Sequence, residues 1–226
     1  MTESVVEARG LYHIYRERDV ETVALRGAEL DLRPGSWTSL MGPSGSGKST
    51  LLQILAGLLE PTAGTVLVAG GDLARMTPDE RARCRRRYVG VVMQRDNLHP
   101  CLDVADNIAL PLRLDGRPRA AIRARVGTLL DEVGLTDRRH HRVGQLSGGE
   151  AQRAAIAVAL AARPAVLLAD EPTGELDEEA AMALLDVLAA AQHAQGTAIL
   201  AVTHNPAVAG RGDRSLTMRD GLVTDD

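Results

Sequence analysis

Residues 37–55 read WTSLMGPSGSGKSTLLQIL: a short apolar run, a glycine-rich loop, then residues with helical spacing. Few stretches constrain a fold more tightly. The strand has to deliver its carboxyl end into the loop, the glycines have to turn backbone N–H groups inward, and the helix start lends its positive end to whatever the loop encircles. GPSGSGKS (42–49) fits GxxxxGK[ST] without a gap, in the strand–loop–helix context that the motif needs. The expected guest is a polyphosphate held by Gly42, Pro43, Ser44, Gly45, Ser46, Gly47, Lys48, Ser49 and Thr50, with Lys48 on the β- and γ-phosphates and the Ser49 hydroxyl on Mg²⁺. One count supports this reading. Of 26 Lys and Arg residues, 25 are Arg, and the single lysine is Lys48. A compact ammonium on a flexible stem fits between phosphate oxygens, where a planar guanidinium does not.

The alternation of elements extends this unit into an α/β domain. Strands are expected at SVVEARGLYHIY, VALRGAELDL, WTSLMG, GTVLVAG and YVGVVMQ, and helices at KSTLLQILAGL and TPDERARCRRR, the latter capped by Thr77 with Pro78 at its first position. Residues 103–133 read as mostly helical, broken near PLRLDGRP. AVLLAD (165–170) and TAILAVTH (197–204) are continuous apolar runs, as in strands buried on both faces of a parallel sheet. A long helix, DEEAAMALLDVLAAAQHAQ, lies between them, and RSLTMRDGLV closes the chain as strand and turn.

At 226 residues and 45% hydrophobic, the chain suits one large domain with a subdomain. The formal charge of −4 argues against nucleic acid as a partner. The arginine run RARCRRRY (81–88) reads first as a solvated helix face, and second as a surface near anionic lipid head groups. Cys84 and Cys101 form neither a zinc pattern nor a CxxC pair and read as reduced cytosolic thiols, with a disulfide between them as the alternative. The acidic, polar start is not a signal peptide, and AAIAVALAA (154–162) is shorter than the roughly 20 apolar residues a bilayer span needs. A soluble, cytoplasmic chain is expected, reaching a membrane only through another subunit.

Further residues belong with the loop. In AVLLADE, Asp170 at a strand's carboxyl end can orient Mg²⁺, and Glu171 can take a proton from an attacking water; the plain alternative is a strand end with solvated acids. His204 and Gln94 also end predicted core strands, where open α/β sheets bind ligands, so contacts to the γ-phosphate or to water are available to them. For each, a purely structural role is the ordinary alternative. With no Phe, one Trp and three Tyr, the platforms open to an adenine ring are Tyr12 and Tyr15. A second glycine cluster, QLSGGEAQR (145–153), again sits at a predicted helix start, without a lysine.

Together these motifs resemble the nucleotide-binding subunit of an ABC transporter, over essentially the whole chain. The resemblance assigns GPSGSGKST to Walker A, Gln94 to the Q-loop, LSGGE (146–150) to the signature, VLLAD (166–170) to Walker B, Glu171 to the catalytic glutamate, Asp177 to the D-loop and His204 to the switch histidine. It implies a P-loop NTPase (RecA-like) core with a mixed sheet, an N-terminal antiparallel β subdomain and a helical subdomain. The expected division is a single ABC ATPase domain over 1–226, with residues 1–95 and 161–226 as core and 96–160 as the helical, signature-bearing part. It implies two subunits packed head to tail, read as two copies of this chain, so that Ser147, Gly148, Gly149 and Glu150 of one meet the ATP bound by the other. Gln94 would join Ser49 and Asp170 around Mg²⁺, and an integral membrane permease would dock near Gln94 to Asn107, placing the subunit on the inner face of the cell membrane. ADEPTGELD is similar to the ADEPTGNLD of the group containing lipoprotein-release, macrolide-exporter and FtsE-type ATPases, which favours export as the direction; the spacing from Tyr15 through VETVAL to the next strand is also similar to that group and favours Tyr15 over Tyr12 as the adenine platform. Glu175 and Asn205 depart from the usual Asn and Asp of that group. The alternative within the group is an FtsE-like ATPase that drives a membrane protein without transport. A DNA-repair ATPase would need a long coiled coil before the signature, and a degenerate subunit would lack Glu171 or His204. An amine-reactive ATP analogue is expected to modify Lys48, with the α-amino group as the one competing amine, and excess ATP is expected to protect it; peptide mapping of the modified chain checks this.

Overall fold

The computed structural model describes residues 4–18, 20–94, 97–174 and 176–225. The chain opens with β1 (Val6–Glu17), β2 (Val20–Leu32), β3 (Trp37–Met41) and α1 (Lys48–Leu55). β4 (Ala63–Val68), β5 (Gly71–Asp72), α2 (Pro78–Tyr88) and β6 (Val89–Val92) follow. Next come three helices, α3 (Val104–Leu114), α4 (Arg119–Glu132) and α5 (Gly148–Leu160). The chain closes with β7 (Val166–Asp170), α6 (Glu178–Gln195), β8 (Ala198–Val202), α7 (Pro206–Ala209), β9 (Arg214–Arg219) and β10 (Leu222–Asp225).

Two sheets organise these elements. β2-β1-β4-β5 is antiparallel, and its alternating buried positions (Leu25, Ala28, Leu30 and Leu32 on β2) face a core shared with α1. The second sheet runs β10-β9-β3-β8-β7-β6 and is parallel except for β10 against β9. Every residue of β7 and β8 is buried, as the continuous apolar runs predict for strands covered on both faces. α1 covers one face through Leu51, Leu52, Ile54 and Leu55. Helices α3 to α6 build the other core, with Leu129, Ile156, Leu185 and Leu188 among its fully buried side chains. The architecture is that of an α/β P-loop NTPase with an antiparallel β layer and a helical layer.

Parallel pairing fixes where the motifs sit. In register, Val92 lies beside Ala169, Asp170 beside Val202, and Val202 beside Leu40. The chain therefore leaves β6, β7, β8 and β3 at one edge of the sheet, bringing residues 94, 170–171, 203–204 and 42–49 together from four distant segments.

Helix ends follow local chemistry. Thr77 and Glu80 form a reciprocal capping box at α2, with Pro78 at the first position. α3 runs through Pro111 and stops at Asp115, so the expected break falls within residues 115–118; a single proline removes one backbone donor, and the buried face of α3 (Ile108, Ala109, Leu112) carries the helix past it. Both Cys84, buried, and Cys101, exposed, are free thiols.

β6 and α5 approach so closely that a Cβ on Gly90 would stand 2.6 Å from the Ala159 carbonyl oxygen. Gly90→Ala is expected to cost about 2 kcal/mol, as overpacking does, and to lower Tm by about 4–8 °C in a thermal melt.

Candidate functional site

The loop between β3 and α1 is built around a helix start that the chain itself leaves unsatisfied. Gly47 caps α1 in the left-handed region at φ 104°, no side chain accepts a bond from the first-turn N–H groups, and no acidic residue lies in that turn. A Cβ at Gly47 would meet the Ala24 carbonyl oxygen at 2.4 Å, so only glycine lets the loop pass under β2. Four N–H groups and the positive end of α1 are thus available to an anion. Lys48 adds a full charge: its Nζ donates to the carbonyls of Gly42 and Pro43, each at 2.8 Å, with a weak 3.5 Å approach to Ser46 Oγ that leaves a donor to spare.

Beneath the loop, the Ser49 hydroxyl donates to Asp170 Oδ2 at 2.7 Å, joining α1 to the end of β7. Burial pushes the Asp170 carboxyl above the ordinary aspartate range; the Ser49 bond and Lys48 pull it down, and Glu171 pushes it up. Net elevation means a buried carboxylate short of positive charge. A hydroxyl and a carboxylate side by side, with room for anionic oxygens from the loop, fit a hard divalent cation such as Mg²⁺. Glu171, next in sequence, takes φ 50°, a conformation costly for any residue with a Cβ. That turn swings its side chain across to β8, where Oε1 lies 2.8 Å from His204 Nδ1 and Oε2 accepts from the Thr203 hydroxyl at 3.4 Å. His204 is exposed at the rim.

Gln94 leaves the end of β6 exposed on this same edge, just after Met93, whose backbone N–H and carbonyl are both held by Asn97 (2.7 and 2.6 Å). Tyr15 stands beside α1: its hydroxyl is 3.3 Å from Thr50 Oγ1, its ring packs edge-on against His13, and 39% of its surface is exposed. Tyr12, also exposed, lies over Gly27 instead.

Ser147 to Glu150 start α5, and no hydrogen bond or ion pair among the described residues joins them to residues 42–50. Here the helix N-terminus is partly satisfied, with the Ser147 and Glu150 N–H groups paired. Ser147 Oγ accepts from the Glu150 N–H, and Glu150 returns a bond to the Ser147 N–H at 2.8 Å while accepting from Arg138 Nε at 2.7 Å. These bonds, led by that from the Ser147 backbone, hold the Glu150 carboxyl below the usual range. The Ser147 hydroxyl proton remains unspent. Asp177 caps α6 by accepting from the Ala180 N–H. Glu175 lies outside the described residues. Asn205 accepts from Ala207 N–H, capping α7, and its amide reaches Thr173 Oγ1 at 3.4 Å.

Sequence reasoning passed over three residues: Thr203 beneath Glu171, Arg138 behind Glu150, and Gln152, buried, which donates from Nε2 to the Pro172 carbonyl at 3.2 Å. Only Thr203 had a signal to offer, as the polar residue that interrupts the apolar run before His204. The other two are recognisable by their partners alone.

Residues 25–174 match the family model of ABC transporters. The chain is 41% identical to the lipoprotein-releasing system ATP-binding protein LolD of Hydrogenovibrio crunogenus, over 98% of this chain and 96% of that protein. It is also 41% identical to the macrolide export ATP-binding/permease protein MacB of Rhodopseudomonas palustris, over its full length but only 34% of that longer protein. Among solved structures, the dimeric, post-hydrolysis ATP-binding cassette MJ0796 bound to ADP and Pi superposes with a TM-score of 0.92 at 34% identity, covering 97% of this chain and 98% of that one.

The elevated Asp170 pKa has a consequence for stability. Between the unfolded and folded values the folded chain holds more protons, so stability falls as pH rises through that window. Asp170→Asn is expected to melt above the parent protein near pH 7 without ligand, the gap narrowing as pH falls toward about 4; melts across pH measure it.

Proposed function

Since the chain belongs to the ABC transporter family and is an ATPase of it, we propose that it powers a separate membrane permease through ATP-driven, head-to-tail pairing of two copies. The observation that carries this reading is the division of anion-binding equipment within one chain. The loop at α1 holds an uncapped helix start and the one lysine, whereas the α5 start, away from it, is capped and keeps a free hydroxyl proton. A γ-phosphate bound at Lys48 leaves its outer side open, and Ser147 with the N–H groups of Gly148 and Gly149 from a second copy complements that side. The dimeric state of the MJ0796 cassettes supports the pairing.

In this reading Tyr15 stacks on adenine, residues 42–50 wrap the phosphates, and Lys48 spans the β- and γ-phosphates. Ser49 and Asp170, assisted by Gln94, hold Mg²⁺, which supplies charge neutralisation for the transferring phosphoryl group. Glu171 accepts a proton from the attacking water, and His204 orients the γ-phosphate side of that water. Asp177, at the start of α6, lies at the seam between the copies. ATP favours the closed pair and hydrolysis reopens it.

No helix among the described residues is long and apolar enough to cross a membrane, so in this reading transport requires a membrane-spanning part beyond these residues. A groove of about 730 Å³ between α3 and α4 suits its docking, beside the segment that follows Gln94. Its floor is Ala105, Ala109, Ile122 and Val126, and Arg113, Arg117, Arg119 and Arg123 edge it. The word export in the name of the MacB relative and lipoprotein-releasing in that of the LolD relative favour export as the direction, with this subunit on the inner face of the cell membrane. Glu171→Gln is expected to bind ATP as the parent does, to lose turnover by at least about a hundredfold, and to remain a dimer with ATP in light scattering; retained turnover overturns the reading.

A further inference from the structure

The geometry points to Thr203 as a positioning residue that fixes the Glu171 carboxylate and leaves Oε1 as the oxygen that meets water. Thr203 is 1% exposed, so its hydroxyl has no solvent to turn to. Oγ1 accepts from the Asn205 N–H at 2.9 Å, which directs its own proton onward to Glu171 Oε2 at 3.4 Å. A hydroxyl has one proton to give, and here a carboxylate oxygen stands in its path. Separations of this size at a catalytic group shorten when substrate completes the site.

The two contacts to the carboxylate differ in kind. Oε1 faces His204, whose side chain is 82% exposed and free to turn toward a ligand. Oε2 is held by a β-branched residue with few rotamers, locked at the end of β8. The Thr203 backbone N–H donates to the Leu40 carbonyl at 3.1 Å, two residues before Gly42. The same residue therefore references the carboxylate to the strand that feeds the phosphate loop. Asn205 contributes through its backbone, which no side-chain replacement removes. When His204 leaves Oε1 for its phosphate contact, Thr203 keeps the carboxylate plane in place, with Oε1 toward the water.

The inference rests on Glu171 as the base, and the test separates the two. Thr203→Val keeps the shape and removes the hydroxyl; Thr203→Ser keeps the hydroxyl and removes the methyl group. Turnover is normalised to the ATP-bound fraction, so lost stability does not imitate the effect. Thr203→Val is expected to lower kcat about tenfold or more, with KM and ATP affinity unchanged, and Thr203→Ser to stay within about threefold of the parent. Parental turnover in Thr203→Val overturns the inference, and so does a Thr203→Ser loss equal to that of Thr203→Val, since that assigns the effect to packing. An inactive Glu171→Gln beside a fully active Thr203→Val defeats this inference alone, whereas an active Glu171→Gln defeats the reading beneath it.

Discussion

An α-helix that begins without a cap is the constraint on which the rest of this molecule depends. α2, α3, α5, α6 and α7 each begin with a side chain that accepts from a first-turn N–H: Thr77, Asp103, Ser147, Asp177 and Asn205. α1 begins with Gly47, has no acidic residue in its first turn, and is followed at once by the only lysine. A cap is worth about 1 kcal/mol to a helix, so the chain forgoes ordinary stabilisation here; α4, with Pro118 at its cap position, also lacks a side-chain cap, but no glycine loop or lysine accompanies it. The open N–H groups remain tolerable because the buried face of α1 and the Ser49–Asp170 bond hold the helix against the sheet. An anion seated there, as in the proposed reading, satisfies what folding left unpaired.

The acidic half of the site shows the same exchange of stability for chemistry. Asp170 is buried against its electrostatic preference, and Glu171 sits in a backbone conformation that costs about 1–3 kcal/mol. Without that turn the Glu171 side chain would continue the alternation of β7 rather than cross to Thr203 and His204. The surrounding sheet over-determines the strain: Glu171 N–H donates to the Val202 carbonyl at 2.9 Å, and Thr203 N–H to Leu40. Three neighbouring strands thus hold the Asp170 carboxylate, the Glu171 carboxylate and the glycine loop as one rigid unit.

The second glycine cluster is built differently. The start of α5 carries its own capping box, Ser147 with Glu150, backed by Arg138, and is tied to the core by Gln152 on Pro172. The loop carrying Arg138 is in turn stitched to α3, with Val104 N–H on His141 and Ala105 N–H on Arg139. The first turn of α5 is therefore held from both sides, from β7 through Pro172 and from the segment after Gln94 through α3. A capped helix start cannot hold a nucleotide strongly by itself, but it can add a few directed donors to one already held.

Much of this was legible in the sequence because it rests on local chemistry. The glycine loop, the lone lysine, the caps of α2 and α5 and the buried runs of β7 and β8 each follow from residues within a few positions of one another. Those runs also imply a parallel sheet, which puts Gln94, Asp170, Glu171 and His204 at strand ends. The choice of Tyr15 over Tyr12 came only through the family resemblance, and the Glu171 turn and the partnerships of Thr203, Arg138 and Gln152 were not legible. They depend on strand register, on bulges in β1 and on which oxygen a side chain reaches across 12 to 32 residues of sequence. The sequence by itself determined the strand, the glycine loop and the lysine-bearing helix start at 42–49, and with them the expectation of a phosphate guest, because those features lie within a few residues of one another. Only the tertiary structure decided which groups converge there and that the second glycine cluster stays away, because strand order and helix packing, not adjacency, set those distances.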